Sequence, residues 1–574
     1  MISMEAEQAD PVRERLRDLP TLDQLVLAFA LVFPMLLAPQ ISGPMWTPKA
    51  ALLLVAVGPS LLLLGLLARL GDRAAVAAVV FVAVVWLSAL LSRHPALVSF
   101  GEPVGPNAAW MLSGFVGCWA LTRSLSPAGV GWLPKVLLVS LVPTAVLGIL
   151  QVTIDTTSFL AQIGADRAGG LSDNPVYFGG LMAAAAVLLL AWVPRQASGR
   201  WLVLAPLFGC ALGVSGSRIA LIAMVALVPF VGWSSWRRVG AGLALVFAGL
   251  AVAQALPEAT TAGDRVEETV QASGFTARFE AWKAAPDAVA DRPLLGWGPG
   301  QFANATTRYL GPEFVRAEGP DRIFRDAHNI VVELSVTVGV LGLVAAAVWL
   351  ALASWRATRP LVLPVAVLGL TFLLQPLNLH GAVFACLALG GAVVAGRSEV
   401  RLSRPTKATA GALGAIGLAA GVAFLLTSVF VGRGRDGDLT SAQRAQALMP
   451  WSTLVNASVT GATAAEVLTG ADGVSASDVV SAAERTVDRE SDFYSTWNQL
   501  GRVQAVFGRD EELALTSFRT ALTHFPWSVA AWQGIAIAGE GVGDEAAQAE
   551  AAEALCQLGV GECPEAQSSS GQTG

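Results

Sequence analysis

Charge is scarce in this chain. Only 14% of its 574 residues are Asp, Glu, Lys or Arg, where a soluble domain carries about a quarter. That shortage, with 54% hydrophobic residues and a mean hydropathy of +0.59, excludes an ordinary soluble protein. The net charge of −6 is spread over loops and gives no case for nucleic acid. Nucleotide-binding signatures are missing too. No P-loop occurs, which argues against an ATP-driven transporter. The one Gly-x-Gly-x-Gly, within Pro293–Phe302, has no strand before it, so a dinucleotide fold is excluded. A single Asp-x-Asp, Asp436 to Asp438, sits in a Gly-rich linker and reads as solvated rather than metal-binding. The first twenty residues have no apolar core, so no cleavable signal peptide is expected and the first membrane helix serves as the insertion signal.

Apolar runs long enough to cross a bilayer, about twenty residues each, recur through the first three quarters of the chain. They predict an all-α, polytopic membrane bundle with about thirteen spans near 22–40, 48–68, 74–92, 107–122, 136–154, 175–193, 201–214, 218–234, 239–256, 329–353, 361–378, 381–396 and 408–431. Positive charge orients it. With Arg13, Arg15 and Arg17 in the cytoplasm, the inside turns hold Arg69 and Arg73, Arg123 and Lys135, Arg195 and Arg200, Arg237 and Arg238, Arg356 and Arg359, then Arg397, Arg401, Arg404 and Lys407. The short outside connections hold chiefly Arg93, Arg167 and Arg218. This bias puts a large loop, 257–328, and everything after residue 431 outside the cytoplasm. The expected order is a cytoplasmic segment at 1–20, membrane helices at 21–256, the loop, membrane helices at 329–431, a helical domain at 432–565 and a disordered tail at 566–574.

The outer C-terminal segment has a different pattern. Trp497, Leu500, Gly501, Ala514, Phe518, Ala521 and Pro526 fit tetratricopeptide spacing, with one residue inserted near Gly508-Arg509-Asp510, and Trp532 falls where the next repeat begins. Two helix pairs are expected, with a degenerate third around Ser441–Asn456. Such a module binds a protein partner, packs on its own membrane domain, or is a plain helical cap. Cys118, Cys210 and Cys386 lie in expected spans as packing residues. Cys556 and Cys563 lie outside, where they either form a disulfide or stay free thiols.

Candidates for chemistry are few because only four histidines exist. His524 reads as a surface or packing residue, and His94, in an outer turn, has no evident role. His328 and His380 fall at outer helix ends. His328 has the more telling neighbours, and imidazole takes a proton near neutral pH. Asn329 reads as a helix-start residue. Glu333, one turn on, either orients or tunes the imidazole or faces solvent or a cavity; a carboxylate within a span is costly unless paired. Arg218 follows the tight turn Ser215-Gly216-Ser217. Arg278 sits in an amphipathic helical pattern with Phe279 and Trp282, suited to the membrane surface or to packing on the bundle. Arg167 opens a Gly-rich turn running to Pro175. Converging arginines suit a pyrophosphate, because guanidinium stays charged and binds phosphate oxygens in pairs. Any one alone reads more readily as a snorkelling arginine or one paired with a loop carboxylate such as Asp166 or Glu280.

Taken together and in order, the Arg167 turn, Ser-Gly-Ser-Arg218, Arg278 with Trp282, the Pro293–Phe302 bend, and His328-Asn329 followed after nine residues by Gly339-x-x-Gly342 resemble the O-antigen ligase and Wzy polymerase superfamily over about residues 20–400. The resemblance implies a GT-C-type helical membrane fold. It also implies transfer of a glycan from a polyprenyl-pyrophosphate carrier to an acceptor hydroxyl on the outer face of the cytoplasmic membrane. His328 would be the general base, Arg218 and Arg278 would hold the pyrophosphate, and Arg167, Asn329, Glu333 and Trp282 would line the substrate site. The reaction would invert the anomeric carbon and use neither metal nor other cofactor. Alternatively, His328 binds phosphate and the base lies elsewhere. The additional span and outer repeat domain depart from a typical ligase and leave the acceptor open among glycan, lipid and protein. Two readings of other classes are a lipid-linked-glycan transporter, which lacks its expected two-half repeat and mid-span charges, and a non-catalytic envelope scaffold.

Overall fold

The computed structural model describes residues 19–38, 43–103, 107–153, 167–172, 174–195, 199–231, 236–256, 273–393, 400, 402–560 and 563. The expected cytoplasmic arginines Arg13, Arg15 and Arg17, the inside-turn residues Arg397 and Arg401, the loop stretch 257–272 and the tail 566–574 lie outside these residues. All regular elements among the described residues are helical. The chain divides into two compact units. The first comprises Met1–Val84, Trp110–Val270 and Val344–Val422, and the second Val85–Ala109, Gln271–Leu343 and Ala423–Gly574.

Among the described residues, six helices are long and apolar enough to cross a membrane: Thr47–Arg69, Arg73–Leu90, Pro127–Gln151, Pro175–Arg195, Trp236–Gln254 and Arg404–Arg435. Six shorter apolar helices accompany them. With Ala109–Arg123, a helix occurs in every apolar segment read from the sequence. The Pro175–Arg195 helix is the centre of the first unit, with 89% of its apolar window buried. It is rich in Gly, Ala and Leu and packs on Leu204–Val214, Arg218–Leu227 and Arg359–Phe372. Small residues set the closest approach in this unit. A Cβ on Gly209 would lie 2.1 Å from the Val246 carbonyl oxygen, and one on Gly249 2.1 Å from that of Pro206. Helices without side chains at the contact can thus touch backbone to backbone, as membrane helices often do.

One expected span is broken. The segment 329–353 forms two helices, Ile330–Thr337 and Gly339–Ser354. The Pro293–Gly298 bend docks on the break through its backbone. Trp297 N donates to Val336 O at 3.0 Å and Gly298 N to Thr337 O at 2.8 Å, while Val340 N and Leu341 N donate to Pro293 O and Leu294 O at 2.9 and 3.2 Å. Helix ends leave N–H and C=O groups without partners, and the bend supplies them. Ser88 adds a hydroxyl that donates to Leu295 O at 2.6 Å and to Thr337 O at 3.1 Å. The apolar pattern runs on through the break, so hydropathy alone reads a single helix.

The C-terminal part of the second unit is a run of antiparallel helices: Leu439–Leu448, Thr453–Thr469, Ala476–Arg489, Tyr494–Val503, Glu511–His524, Val529–Val542 and Glu545–Gln557. Asp438 is exposed, as expected, and also caps the first of them by accepting from Ser441 N at 2.9 Å. Phe518 is the packing pivot. Its ring fills the space that a side chain on Gly501 or Gly534 would need. Trp497 Nε1 donates to Ser491 O at 2.7 Å, and Trp532 Nε1 to Pro526 O at 2.9 Å, each reaching six residues back. The residue inserted near Gly508 is absorbed as a π-helical turn, Gln504–Gly508, ended by Arg509 in the left-handed region at φ 51°. A π-turn takes up one surplus residue without breaking the helix. Cys556 and Cys563 are joined as a disulfide.

Candidate functional site

The loop before the break carries His328, and neighbouring groups fix it closely. His328 has φ 51°, a left-handed conformation that histidine adopts more readily than bulky residues but still at a cost. Asp326 compensates. One of its oxygens accepts from His328 N at 3.0 Å and lies 3.0 Å from the imidazole Nδ1. The hydrogen-bond partner of Nδ1 is the Asp326 carbonyl oxygen at 3.3 Å, which can only accept, so in the neutral ring the proton sits on Nδ1 and Nε2 keeps the lone pair. Phe324 packs against the ring, with centroids 4.7 Å apart.

Two further groups hold the loop by its backbone. Glu333 Oε2 accepts from Ala327 N at 2.8 Å. Glu333 therefore braces the peptide before the histidine, and Asp326, not Glu333, is the imidazole's carboxylate. Trp282 Nε1 donates to Ala327 O at 2.7 Å. Trp282 is turned onto this loop, whereas Phe279, its expected companion, is 49% exposed. Arg278 is half-buried one turn before Trp282, on the same face of the Ser273–Asp291 helix. Asn329 caps the Ile330–Thr337 helix, accepting from Val331 N at 2.9 Å and Val332 N at 3.2 Å. The second unit thus gathers His328, Asn329, Glu333, Trp282 and the Arg278 face around one short loop.

Arg167 and Arg218 belong to the first unit, and the structure joins their two turns. Arg167 Nε donates to Ser215 O at 2.9 Å, and Ala168 N donates to Val214 O at 3.2 Å. Gly216 makes the turn at φ 59°, and Ser217 leads into the Arg218–Leu227 helix, on which Arg218 is half-buried. The same turn region receives a buried cation that the sequence reading passed over. Lys49, fully buried in the Thr47–Arg69 helix, donates to Leu171 O at 2.9 Å, Met45 O at 2.6 Å and Leu36 O at 2.7 Å. Three carbonyls are the ligand set that lets an ammonium remain inside an apolar bundle.

The C-terminal helices hold the histidine loop from behind. Asp321, at φ 52°, accepts from Ser528 Oγ at 2.8 Å and Ala530 N at 2.8 Å, capping the Val529–Val542 helix. Arg316 donates to Gln557 O at 2.7 Å. His94, given no role above, meets Asp492 at 2.6 Å. Burial alone would raise the Asp492 carboxyl, but the His94 hydrogen bond and the charges of His94 and Arg93 hold it below the ordinary range. Glu102 accepts from Thr453 N at 3.0 Å, Leu454 N at 3.3 Å and the Ser452 hydroxyl. Glu490 accepts from Asn304 Nδ2 at 2.8 Å. These two acids line a cavity of about 220 Å³ with Arg325, Asn107 and Gln301.

Removal from water pushes Glu102 up from 4.5 to about 7; its hydrogen bond with Ser452 opposes the shift and Glu490 adds to it. A raised carboxyl keeps in the fold a proton that it loses on unfolding. The stability it supplies is therefore complete below about pH 4.5 and disappears as pH rises through about 7. Glu102→Gln, which cannot ionise, is expected to flatten the fall in melting temperature across that window. Glu490, also raised by burial, retains part of the slope. Melting curves in detergent at about pH 5 and about pH 8 measure this, and an unchanged difference between the two pH values in the variant rejects the assignment.

The segment 202–347 matches the model of the O-antigen ligase family. It contains every one of the seven singled-out residues except Arg167. No curated protein matches the chain.

Proposed function

From the membership of the O-antigen ligase superfamily that residues 202–347 give this chain, we propose a glycosyltransferase that moves a glycan from a polyprenyl-pyrophosphate carrier to an acceptor hydroxyl. One observation supports the assignment of the base: the Asp326 carbonyl takes the Nδ1 hydrogen bond of His328, with the Asp326 carboxylate beside it, and leaves Nε2 to accept another. His328 Nε2 removes the acceptor hydroxyl's proton as the oxygen attacks the anomeric carbon. The bond from that carbon to the carrier's phosphate oxygen breaks, and its electron pair leaves with the pyrophosphate. Attack opposite the leaving group inverts the carbon. Arg278 and Arg218 stabilise the departing charge, with Arg167 assisting through the turn it shares with Arg218. Glu333, Trp282 and Asn329 act on position rather than on protons.

The same reading includes thirteen spans, a cytoplasmic N-terminus and outer placement of both the 257–328 loop and the C-terminal domain. The contacts His94–Asp492, Glu102–Thr453 and Asp321–Ser528 support it, since they join the first outer turn, the loop and the C-terminal helices within one unit. The Cys556–Cys563 disulfide supports an oxidising side for that unit. The tetratricopeptide-like module, with its two tryptophans in equivalent bonds, serves in this reading to hold the histidine loop, whatever protein partner it also takes.

The test is transfer from a purified polyprenyl-pyrophosphate glycan to envelope acceptors in vesicles containing the full chain. A new glycosidic bond, formed with inversion, supports the proposal. Donor that crosses the bilayer without being consumed overturns it in favour of a transporter.

A further inference from the structure

Three arginines from three separate segments converge on one indole. The guanidinium carbons of Arg292, Arg308 and Arg93 lie 4.6, 4.9 and 6.0 Å from the centre of the Trp297 ring. Arg93 comes from the turn after the Arg73–Leu90 helix, Arg292 follows the Ser273–Asp291 helix, and Arg308 lies in the Thr307–Tyr309 turn. Trp297 is a rigid platform. It is buried, its Nε1 donates to Ala288 O at 2.8 Å, and its backbone N is bonded to Val336 O. Stacking occupies the flat face of a guanidinium and leaves its in-plane N–H groups pointing outward.

Two of those N–H groups, both on Arg308, lack acceptors. Arg308 Nε and Nη2 are buried with no hydrogen-bond partner. A buried donor without an acceptor is costly and is uncommon in native proteins unless water or an ion fills the place. The carboxylates in reach are already engaged. Asp492 is bonded to His94 at 2.6 Å and lies 3.7 Å from Arg93, and Asp291 accepts the Tyr309 hydroxyl. Burial pushes Arg292 below its ordinary value, and the charges of Arg93 and Arg308 push it further, against the opposing pull of Asp492 and Asp291. Burial, and then the charge of Arg308, lower His524 from its ordinary value. Positive charge is therefore in excess, exposed on one side at Arg93 and anchored on the other by the buried edge of Arg308.

We propose that Arg93, Arg292 and Arg308, stacked on Trp297, form a binding site for a phosphate-class oxyanion, with a diphosphate as the fitting ligand. Several fixed guanidinium forks offer paired N–H donors to oxygens on neighbouring phosphorus atoms. None of these three arginines was singled out as a site residue by sequence, and none is among the residues assigned to glycan transfer. The proposal stands on the second unit alone and does not require that transfer reading.

The test measures equilibrium binding of labelled inorganic pyrophosphate to the full chain in nanodiscs of zwitterionic lipid. A second arm uses the same discs carrying a polyprenyl diphosphate without sugar. Saturable binding is expected in wild type, weakened at least about tenfold in Arg292→Gln and in Arg308→Gln, less so in Arg308→Lys, and unchanged in the exposed control Arg322→Gln. If Arg308→Gln does not fold, Arg292→Gln, at the half-buried rim, decides. Binding of free pyrophosphate identifies a soluble ligand, and binding confined to the lipid-borne arm identifies a carrier headgroup; either supports the site. Absence of saturable binding in both arms, or equal binding by wild type and folded Arg292→Gln, overturns it.

Discussion

Replacing His328 with alanine is expected to slow glycan transfer by about 10²- to 10⁴-fold, the usual contribution of a positioned general base, with the fold retained. The side chain is half-buried, and its described contacts are with the Asp326 carboxylate and the Phe324 ring, so little packing is lost. The loss should fall on kcat more than on KM, because proton removal belongs to the transition state and not to donor binding. Asp326→Asn isolates the carboxylate's charge. The amide oxygen can take the carboxylate oxygen's place and accept from His328 N, while the Asp326 carbonyl still holds the Nδ1 proton, so only the negative charge beside the imidazole is lost and a smaller fall in rate than in His328→Ala is expected. Initial rates at saturating donor, with melting temperature as a check on folding, measure both variants. Wild-type rates in His328→Ala would remove the histidine from the mechanism. A rise in KM alone would instead favour the alternative in which His328 holds phosphate.

The second large effect concerns folding. Gly339 has φ 69°, and a Cβ placed there would lie 2.4 Å from the carbonyl carbon and oxygen of Leu294. Gly339→Ala meets both a left-handed backbone, costing about 1–2 kcal/mol for an L-residue, and a rigid backbone neighbour, with overpacking adding about 1–3 kcal/mol. A combined loss of about 2–5 kcal/mol is comparable with much of a domain's whole stability. Gly369→Ala is the control, since Gly369 lies within the Arg359–Phe372 helix and a Cβ placed there meets nothing within 4 Å. The expected outcome is a greatly reduced yield of folded Gly339→Ala and a near-normal yield of Gly369→Ala, read as the monodisperse fraction after detergent extraction. Equal yields would show that the bend does not depend on the glycine.

The contrast between those glycines shows where sequence reading succeeds and where it stops. Apolar runs such as 175–193 and 408–431 are visible because a bilayer or a bundle core imposes length and composition on every residue. The break at Val338 is not visible, since what makes it is a pair of backbone hydrogen bonds from residues 297 and 298, and backbone groups carry no sequence signal. The π-turn at Gln504–Gly508 is not legible in the sequence either, because it is a change of backbone hydrogen bonding within a helix. His328, Asn329 and Trp282 stand out as rare residues in a polar loop. Asp326 was in plain view beside His328, yet spacing favoured Glu333, one helical turn on, and only the left-handed histidine backbone brings residue 326 to the imidazole. Arg93, Arg292 and Arg308 are scattered over more than two hundred positions and become a cluster only on Trp297.

The bond between Asp321 and the start of the Val529–Val542 helix has a consequence for the order in which the molecule is made. A ribosome adds residue 321 long before residue 530. Through that interval the stretch leading to His328 has no helix end to hold it, and the left-handed turns at residues 321 and 328 have only local bonds to keep them. The Asp321 turn therefore gains its helix end only after residue 530 has been made. A chain halted before that point would carry its apolar helices and the local bonds around residue 328, but not the anchor that joins this stretch to the C-terminal helices.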